Sequence, residues 1–280
     1  MRRLLVTGAS GHLGGVLADR AAAAGWEVVG TYMSQRPRDV DWRAVELDVR
    51  DPDAVARLLA DVRPDAVIHS AYRQDGPDAW ATTADGARHV AEAAARRGSR
   101  LVHMSTDVVF SGRLGRPLRE DDPVDPITAY GRAKAAAEEA VSSACPEALI
   151  VRTSLIYGGP GAPRSRHEEV ALLAARGEND WTFFVDELRC PIQVDDLAVA
   201  LLELVDTERA GVLHLAGPDA VDRLELARMV VASAGGDPDR LRGGPSTGDR
   251  PTDCRLDSGR AYALLSRPPR GVRTVLGAGR

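Results

Sequence analysis

The sequence predicts an α/β fold, a doubly wound parallel sheet with a smaller lobe at its carboxyl-terminal end. Three observations predict it. In the first half, short aliphatic or β-branched runs alternate with Ala-rich helical stretches, the pattern of parallel strands joined by crossover helices. The first of these runs opens directly into a glycine-rich turn, TGASGHLGG, that starts a helix. Beyond about Tyr157 the alternation gives way to GGPGAPRSR, a flexible Gly/Pro-rich connection, and to shorter, less regular pieces.

Taken in order, strands are expected at Leu4 to Thr7, Glu27 to Thr31, Ala44 to Leu47, Ala66 to His69, Leu101 to Ser105 and Ala148 to Arg152. Helices are expected at Leu13 to Ala24, Pro52 to Ala60, Trp80 to Arg97 and Thr128 to Ser143, with Asp51-Pro52 as a helix start and Pro64-Asp65 as a turn. Residues 1–157 form the sheet domain. Residues 158–280 form mainly the lobe, with some segments returning to the sheet. The lobe is expected to hold helices near Glu168 to Ala175, Val194 to Val205, Arg223 to Ala234 and Ser258 to Leu265, and short strands near Thr182 to Val185 and Val212 to Leu215. Gly235 to Asp253 is expected as a loop over a ligand or partner, or else a linker.

Composition narrows the function classes. The chain has 280 residues, 44% of them hydrophobic and 28% charged, with no apolar run long enough to span a membrane. Its 36 basic and 41 acidic residues leave a net charge of −5, so nothing advertises a nucleic-acid partner. Cys145, Cys190 and Cys254 are odd in number and widely spaced, which argues against a disulfide framework and a zinc site and for a reducing compartment. The apolar start of MRRLLVTGAS stops at Thr7-Gly8, too short for a signal-peptide core. A cytoplasmic protein is expected.

Chemistry concentrates in three places. Gly8, Gly11 and Gly14 follow the first strand with the spacing G-x-x-G-x-x-G, so backbone can approach a pyrophosphate and a helix N-terminus can face it. This is a Rossmann-type dinucleotide site, with Ser10, His12 and Leu13 in the same turn. The position where an acid would bind a ribose 2′-hydroxyl is instead occupied by Tyr32, Met33 and Ser34, with Arg36 and Arg38 following, which favours NADPH over NADH. Tyr130 and Lys134 lie four apart on an expected helix, hence on one face. A lysine there stabilises phenolate and makes the phenol a usable general acid. Their companion is STDVVFSG at the carboxyl end of the fifth strand, where the Thr106 hydroxyl can bond the oxygen that Tyr130 protonates and Asp107 adds a second polar group.

In these residues the chain resembles the extended short-chain dehydrogenases/reductases, and within them the dTDP-4-dehydrorhamnose reductase branch. TGASGHLGG, the LDV of Leu47 to Val49, STDVVFSG, YGRAK, RTSLIYG, PIQVDDLA and HLAGPDAVDRLELA match its landmarks in order over nearly the whole chain. The resemblance implies a carboxyl-terminal lobe that binds a nucleotide sugar and a Thr106–Tyr130–Lys134 triad that reduces a 4-keto group with NAD(P)H. It also implies that Asp48 and Val49 touch adenine, that the Ser70-Ala71-Tyr72 turn lines the cofactor, and that Tyr130 and Lys134 contact the cofactor as well. A homodimer through the helices flanking the sheet rests on the resemblance alone. Four positions depart from the pattern. Val108 stands where dehydratases carry glutamate, Val16 where some reductases carry a glutamate for a magnesium-bridged dimer, Thr83 where asparagine is frequent, and Ser70-Ala71-Tyr72 replaces N-A-A. Dehydration and a metal are therefore not expected.

The candidate substrate residues are Asp107, Val108, Arg189 and Gln193. His69 and His103 read as core or strand-end residues, Asp195-Asp196 as helix-start acids suited to the dipole, and Glu120, Asp121 and Asp122 as a solvated loop. Two further functions stay open beside the reductase. One is a nucleotide-sugar epimerase working through transient oxidation; the other is a non-catalytic NADP-binding regulator, as in the regulatory subunit of methionine adenosyltransferase.

Overall fold

The computed structural model describes residues 1–277. Its elements run β1 (Arg3–Thr7), α1 (His12–Ala23), β2 (Glu27–Tyr32), β3 (Arg43–Glu46), α2 (Pro52–Val62), β4 (Ala66–His69), α3 (Gly86–Arg97), β5 (Arg100–Thr106), α4 (Ala129–Ala144) and β6 (Leu149–Thr153). There follow β7 (Ile156–Tyr157), α5 (Arg166–Arg176), β8 (Thr182–Phe184), β9 (Ile192–Gln193), α6 (Val194–Val205), β10 (Gly211–His214), α7 (Arg223–Ser233) and β11 (Arg242–Gly244). Two short helices, α8 (Gly259–Tyr262) and α9 (Val272–Gly277), close the described chain.

The expected doubly wound sheet is borne out, with one strand more than the sequence indicated. The seven strands stand in the order β10-β6-β5-β4-β1-β2-β3, reversing direction of growth at β1 as such sheets do. The extra strand is β10, which the sequence reading assigned to the lobe; Gly211 N–H donates to Ala148 O at 2.9 Å to align it beside β6. Its four residues, GVLH, lie far along the chain from their neighbour, so only the long-range pairing shows where they belong.

The chain forms two interleaved compact units. The first comprises residues 1–106, 129–152 and 198–213 and holds the sheet. Its core joins Leu5 and Val67 from the strands with Leu59, Val90 and Val141 from the helices, all essentially buried. Local signals place the helices. Asp51 caps α2 by accepting from the N–H groups of Asp53 and Ala54, with Pro52 at the first helical position, and Gly98, at φ 65°, closes α3. The expected helix from Trp80 differs in its first turn, which is a π-turn over Ala81–Asp85. Its Thr83 hydroxyl donates to Arg73 O at 2.9 Å and accepts from Arg73 N–H at 3.0 Å, which fixes the segment after β4.

The second unit comprises residues 107–128, 153–197 and 214–280, described as far as 277. Its core packs Tyr157, Phe183, Leu226, Val231 and Val272. Three sequence expectations are corrected here. The Gly/Pro-rich connection is tied down: the buried Glu168 carboxylate accepts from the N–H groups of Gly158, Gly159 and Ser165, and Ser165 caps α5 in return. Gly235 to Asp253 is likewise not a bare loop, since β11 pairs in parallel with β8 and Ser246 N–H and Oγ both donate to Asp186. The expected helix Ser258 to Leu265 shortens to the single turn of α8, ahead of Pro268-Pro269, which cannot continue a helix. The acids expected on a solvated loop are paired as well. Asp122 grips Arg116, Asp121 grips Arg260, and the buried Glu120 accepts from His214 N–H. Among the described residues no helix is long and apolar enough to cross a membrane.

Candidate active site

The site in the first unit begins where β1 ends. Gly8 has φ 74°, and a Cβ there would stand 2.8 Å from Ala71 Cα, so only glycine lets the turn lie against the segment after β4. Hydrogen bonds stitch the strand ends together. Thr7 Oγ1 meets His69 Nδ1 at 2.6 Å, Ser70 Oγ donates to Thr7 O at 2.7 Å, and Ala9 N–H donates to Thr31 O at 2.7 Å. Gly14 serves packing: a Cβ there would stand 2.3 Å from Gly8 O. Helix α1 starts after Gly11 with no side-chain cap on its N-terminus, the end at which a helix dipole favours an anion.

Above this turn opens a cleft lined by Gly8, Ser10 and Gly11, by Tyr32 to Ser34, by Leu47 to Arg50, and by Ser70 to Arg73 with Thr82. Of the residues read from the sequence as cofactor-binding, Gly8, Ser10, Gly11, Ser34, Asp48, Val49, Ser70, Ala71 and Tyr72 line it. His12, Leu13 and Gly14 do not, because they lie in the first turn of α1, with Leu13 turned into the core. Arg36 lines a shallow concavity formed by residues 34–39, which shares Ser34 with the cleft. Arg50, Arg73 and Thr82 were not anticipated. Arg50 holds Asp48 in a bidentate pair, 2.7 Å at its shortest, and reaches Asp78 at 2.9 Å. Its hydrogen bonds pull the Asp48 carboxyl below the usual range.

The sequence-predicted triad falls on β5 and α4. Thr106 is the last residue of β5, and Tyr130 and Lys134 lie one turn apart on α4. The Lys134 side chain is buried, and its Nζ donates to Met104 O at 2.8 Å. Burial brings its pKa down to about 8, opposed by the charge of Glu138. The Tyr130 ring lies 5.6 Å from that of Tyr72. Behind the lysine, His69 and His103 stack at 5.2 Å. Burial, reinforced by the Lys134 charge, holds His69 down to about 3 and His103 well below the ordinary imidazole value, so both are neutral at physiological pH.

One anchor was missed by sequence reasoning. Glu138, one turn beyond Lys134, is buried and takes a bidentate contact from Arg152 of β6, 2.9 and 2.7 Å, and a hydrogen bond from Ser105 Oγ of β5 at 2.5 Å. These contacts fix α4 against the two strands, and with it the Tyr130–Lys134 face. The available signal was a glutamate in register with both residues, facing an arginine inside the apolar strand LIVRT.

In the second unit the candidate substrate residues are largely consumed internally. Ser154 Oγ donates to Asp107 Oδ2 at 2.6 Å, and Arg189 Nε lies 3.6 Å from the same oxygen. The Arg189 guanidinium also donates to the carbonyls of Leu188, Pro251 and Thr252, each at 2.8 Å, which makes it a buried clasp. Gln193 donates to Gly158 O and accepts from Asp196 N–H. Asp196, read as a helix-start acid, is gripped by Arg270. Val108 sits half-buried in a short 3-10 turn after β5.

With this geometry in place, comparison with known proteins is informative. The family model described as the RmlD substrate binding domain matches residues 1–278. The chain belongs to that family. It is 39% identical over 252 residues to a dTDP-4-dehydrorhamnose reductase of Mycobacterium tuberculosis, covering 86% of this chain and 78% of the relative. A dTDP-4-dehydrorhamnose reductase of Mycolicibacterium smegmatis is 36% identical over 293 residues, covering 98% and 84%. The crystal structure of a dTDP-4-dehydrorhamnose reductase from Bacillus anthracis in complex with NADP superposes with a TM-score of 0.83, covering 99% of this chain and 97% of that one at 24% identity, which shows the shared fold. The expected kinship with the extended short-chain oxidoreductases is thereby borne out.

Proposed function

We propose that the chain is an NADPH-dependent reductase acting on the 4-keto group of a nucleotide-linked deoxysugar. The observation that carries this reading is the Tyr130–Lys134 pair, held by the Glu138 anchor with the lysine buried beneath Tyr72, at the border of the glycine-floored cleft. The names of the mycobacterial relatives and the NADP in the Bacillus anthracis structure support it.

The cleft suits a dinucleotide. Gly8 and Gly11 would leave room for a pyrophosphate over the uncapped start of α1, Asp48 and Val49 would hold the adenine, and Ser34 with Arg36 would hold a 2′-phosphate. When bound, NADPH supplies the hydride to the carbonyl carbon. The chain's own groups handle the oxygen. The Thr106 hydroxyl and the Tyr130 phenol both donate to it, Tyr130 gives up its proton as the carbonyl becomes an alcohol, and the Lys134 ammonium stabilises the phenolate left behind. The protein is read as cytosolic and homodimeric; light scattering at one chain's mass would remove the dimer.

The test supplies NADPH and dTDP-4-dehydrorhamnose and follows the cofactor. Stoichiometric loss of NADPH supports the reductase, product formed without net loss means an epimerase, and binding with no turnover of this or related 4-keto sugars means a regulator. Cofactor choice has its own test. A bidentate Arg36–phosphate contact is worth about 1.5–3 kcal/mol, roughly ten- to a hundredfold in favour of NADPH. Arg36→Ala should erase most of that margin and leave NADH affinity nearly unchanged, and Ser34→Asp should reverse the preference. Equal weakening of both cofactors by Arg36→Ala would make Arg36 a solvated loop charge.

A further inference from the structure

We infer that Tyr72 is a positioning residue, whose ring face holds the Lys134 ammonium beside the Tyr130 phenol. The inference rests on the roles of Tyr130 and Lys134 proposed above and adds a fourth member to the Thr106–Tyr130–Lys134 triad.

Lys134 Nζ lies 5.3 Å from the centre of the Tyr72 ring, within the reach of a cation–π contact, and the same ring stands 5.6 Å from that of Tyr130 at a 46° tilt. The ring therefore touches both halves of the acid pair. Hydrogen bonds on either side of Tyr72 place the segment that carries it. The segment is fixed at one end by Ser70 Oγ on Thr7 O and at the other by the Thr83 latch on Arg73, while the Tyr72 side chain itself remains about half exposed, at 52%.

Lys134 has reason to need such a partner. The groups that face it are few: Met104 O takes one N–H, the Glu138 carboxylate is already engaged by Arg152 and Ser105, and the His69 and His103 imidazoles are neutral. A buried ammonium with one strong acceptor gains from the negative face of an aromatic ring. Tyr72 provides it, at a position where the family resemblance anticipates alanine.

The test reads Tyr130 directly, without substrate. Phenolate absorbance is titrated in Tyr72→Phe, which keeps the ring face, and in Tyr72→Leu and Tyr72→Met, which keep bulk without it. Each titration is corrected by the same variant carrying Tyr130→Phe, so that only the Tyr130 signal remains. Lys134→Met is titrated in parallel. The expected result is a Tyr130 midpoint unchanged in Tyr72→Phe, raised by roughly half a pH unit in the Leu and Met variants, and raised further in Lys134→Met. If Lys134→Met raises the midpoint while the Leu and Met variants match Phe, the inference about Tyr72 is overturned and the Tyr130–Lys134 reading stands. If Lys134→Met leaves the midpoint in place, that reading fails and the inference falls with it.

Discussion

Tyr130→Phe is expected to bind NADPH with unchanged affinity and to turn over at least about a hundredfold more slowly than the unmodified chain. The substitution keeps the ring, and with it the contact to Tyr72, and removes only the proton donor. The buried Lys134, with one N–H on Met104 O, remains beside it. Turnover and cofactor affinity measured on the same preparation check this. A variant that retains more than about a tenth of the original turnover would remove Tyr130 as the acid, since a positioned proton donor contributes a hundredfold or more.

The second large effect is on stability. Glu138→Ala leaves the Arg152 guanidinium, 3% exposed, without its bidentate partner in the interior of the first unit, and also strands Ser105 Oγ. Breaking a buried pair from one side costs about 3–5 kcal/mol, which for a chain of this size lowers Tm by about 5–9 °C. Replacing both partners with apolar residues of similar volume, Glu138→Met with Arg152→Met, recovers most of the loss because no buried charge is left unpaired. Thermal unfolding of the two variants beside the unmodified chain decides it. If the single variant melts within about 2 °C of the unmodified chain, α4 is not held by this pair.

Much of the first unit was legible because its signals are local. Aliphatic runs of four to six residues, Asp51-Pro52 and the glycines of the first turn each specify their own backbone, and the strands they indicate lie within a residue or two of those found. What escaped depends on pairing across the chain. GVLH carries nothing that says it lies beside β6, and residues 107–128 carry nothing that says they pack with the second unit. Likewise at the site, residue types and spacing revealed Tyr130 and Lys134, whereas Glu138 looked like an ordinary helix-surface acid until Arg152 was seen opposite it. Arg189 erred in the other direction. A lone arginine in ELRCPIQ suggests a substrate contact, but three carbonyls and two carboxylates surround it, leaving it a structural clasp.

If the chain works as proposed, it directs a hydride onto the 4-keto carbon of a nucleotide sugar while Tyr130 delivers the proton. Running the reaction with NADPH deuterated at the transferring position of the nicotinamide, in ordinary water, tests it most directly. The expected result is one deuterium per turnover, bonded to C4 of the product sugar, with an equal amount of NADP released, and no product from Tyr130→Phe on the same timescale. Product that carries no deuterium at C4, or that forms while NADPH is not consumed, would contradict it.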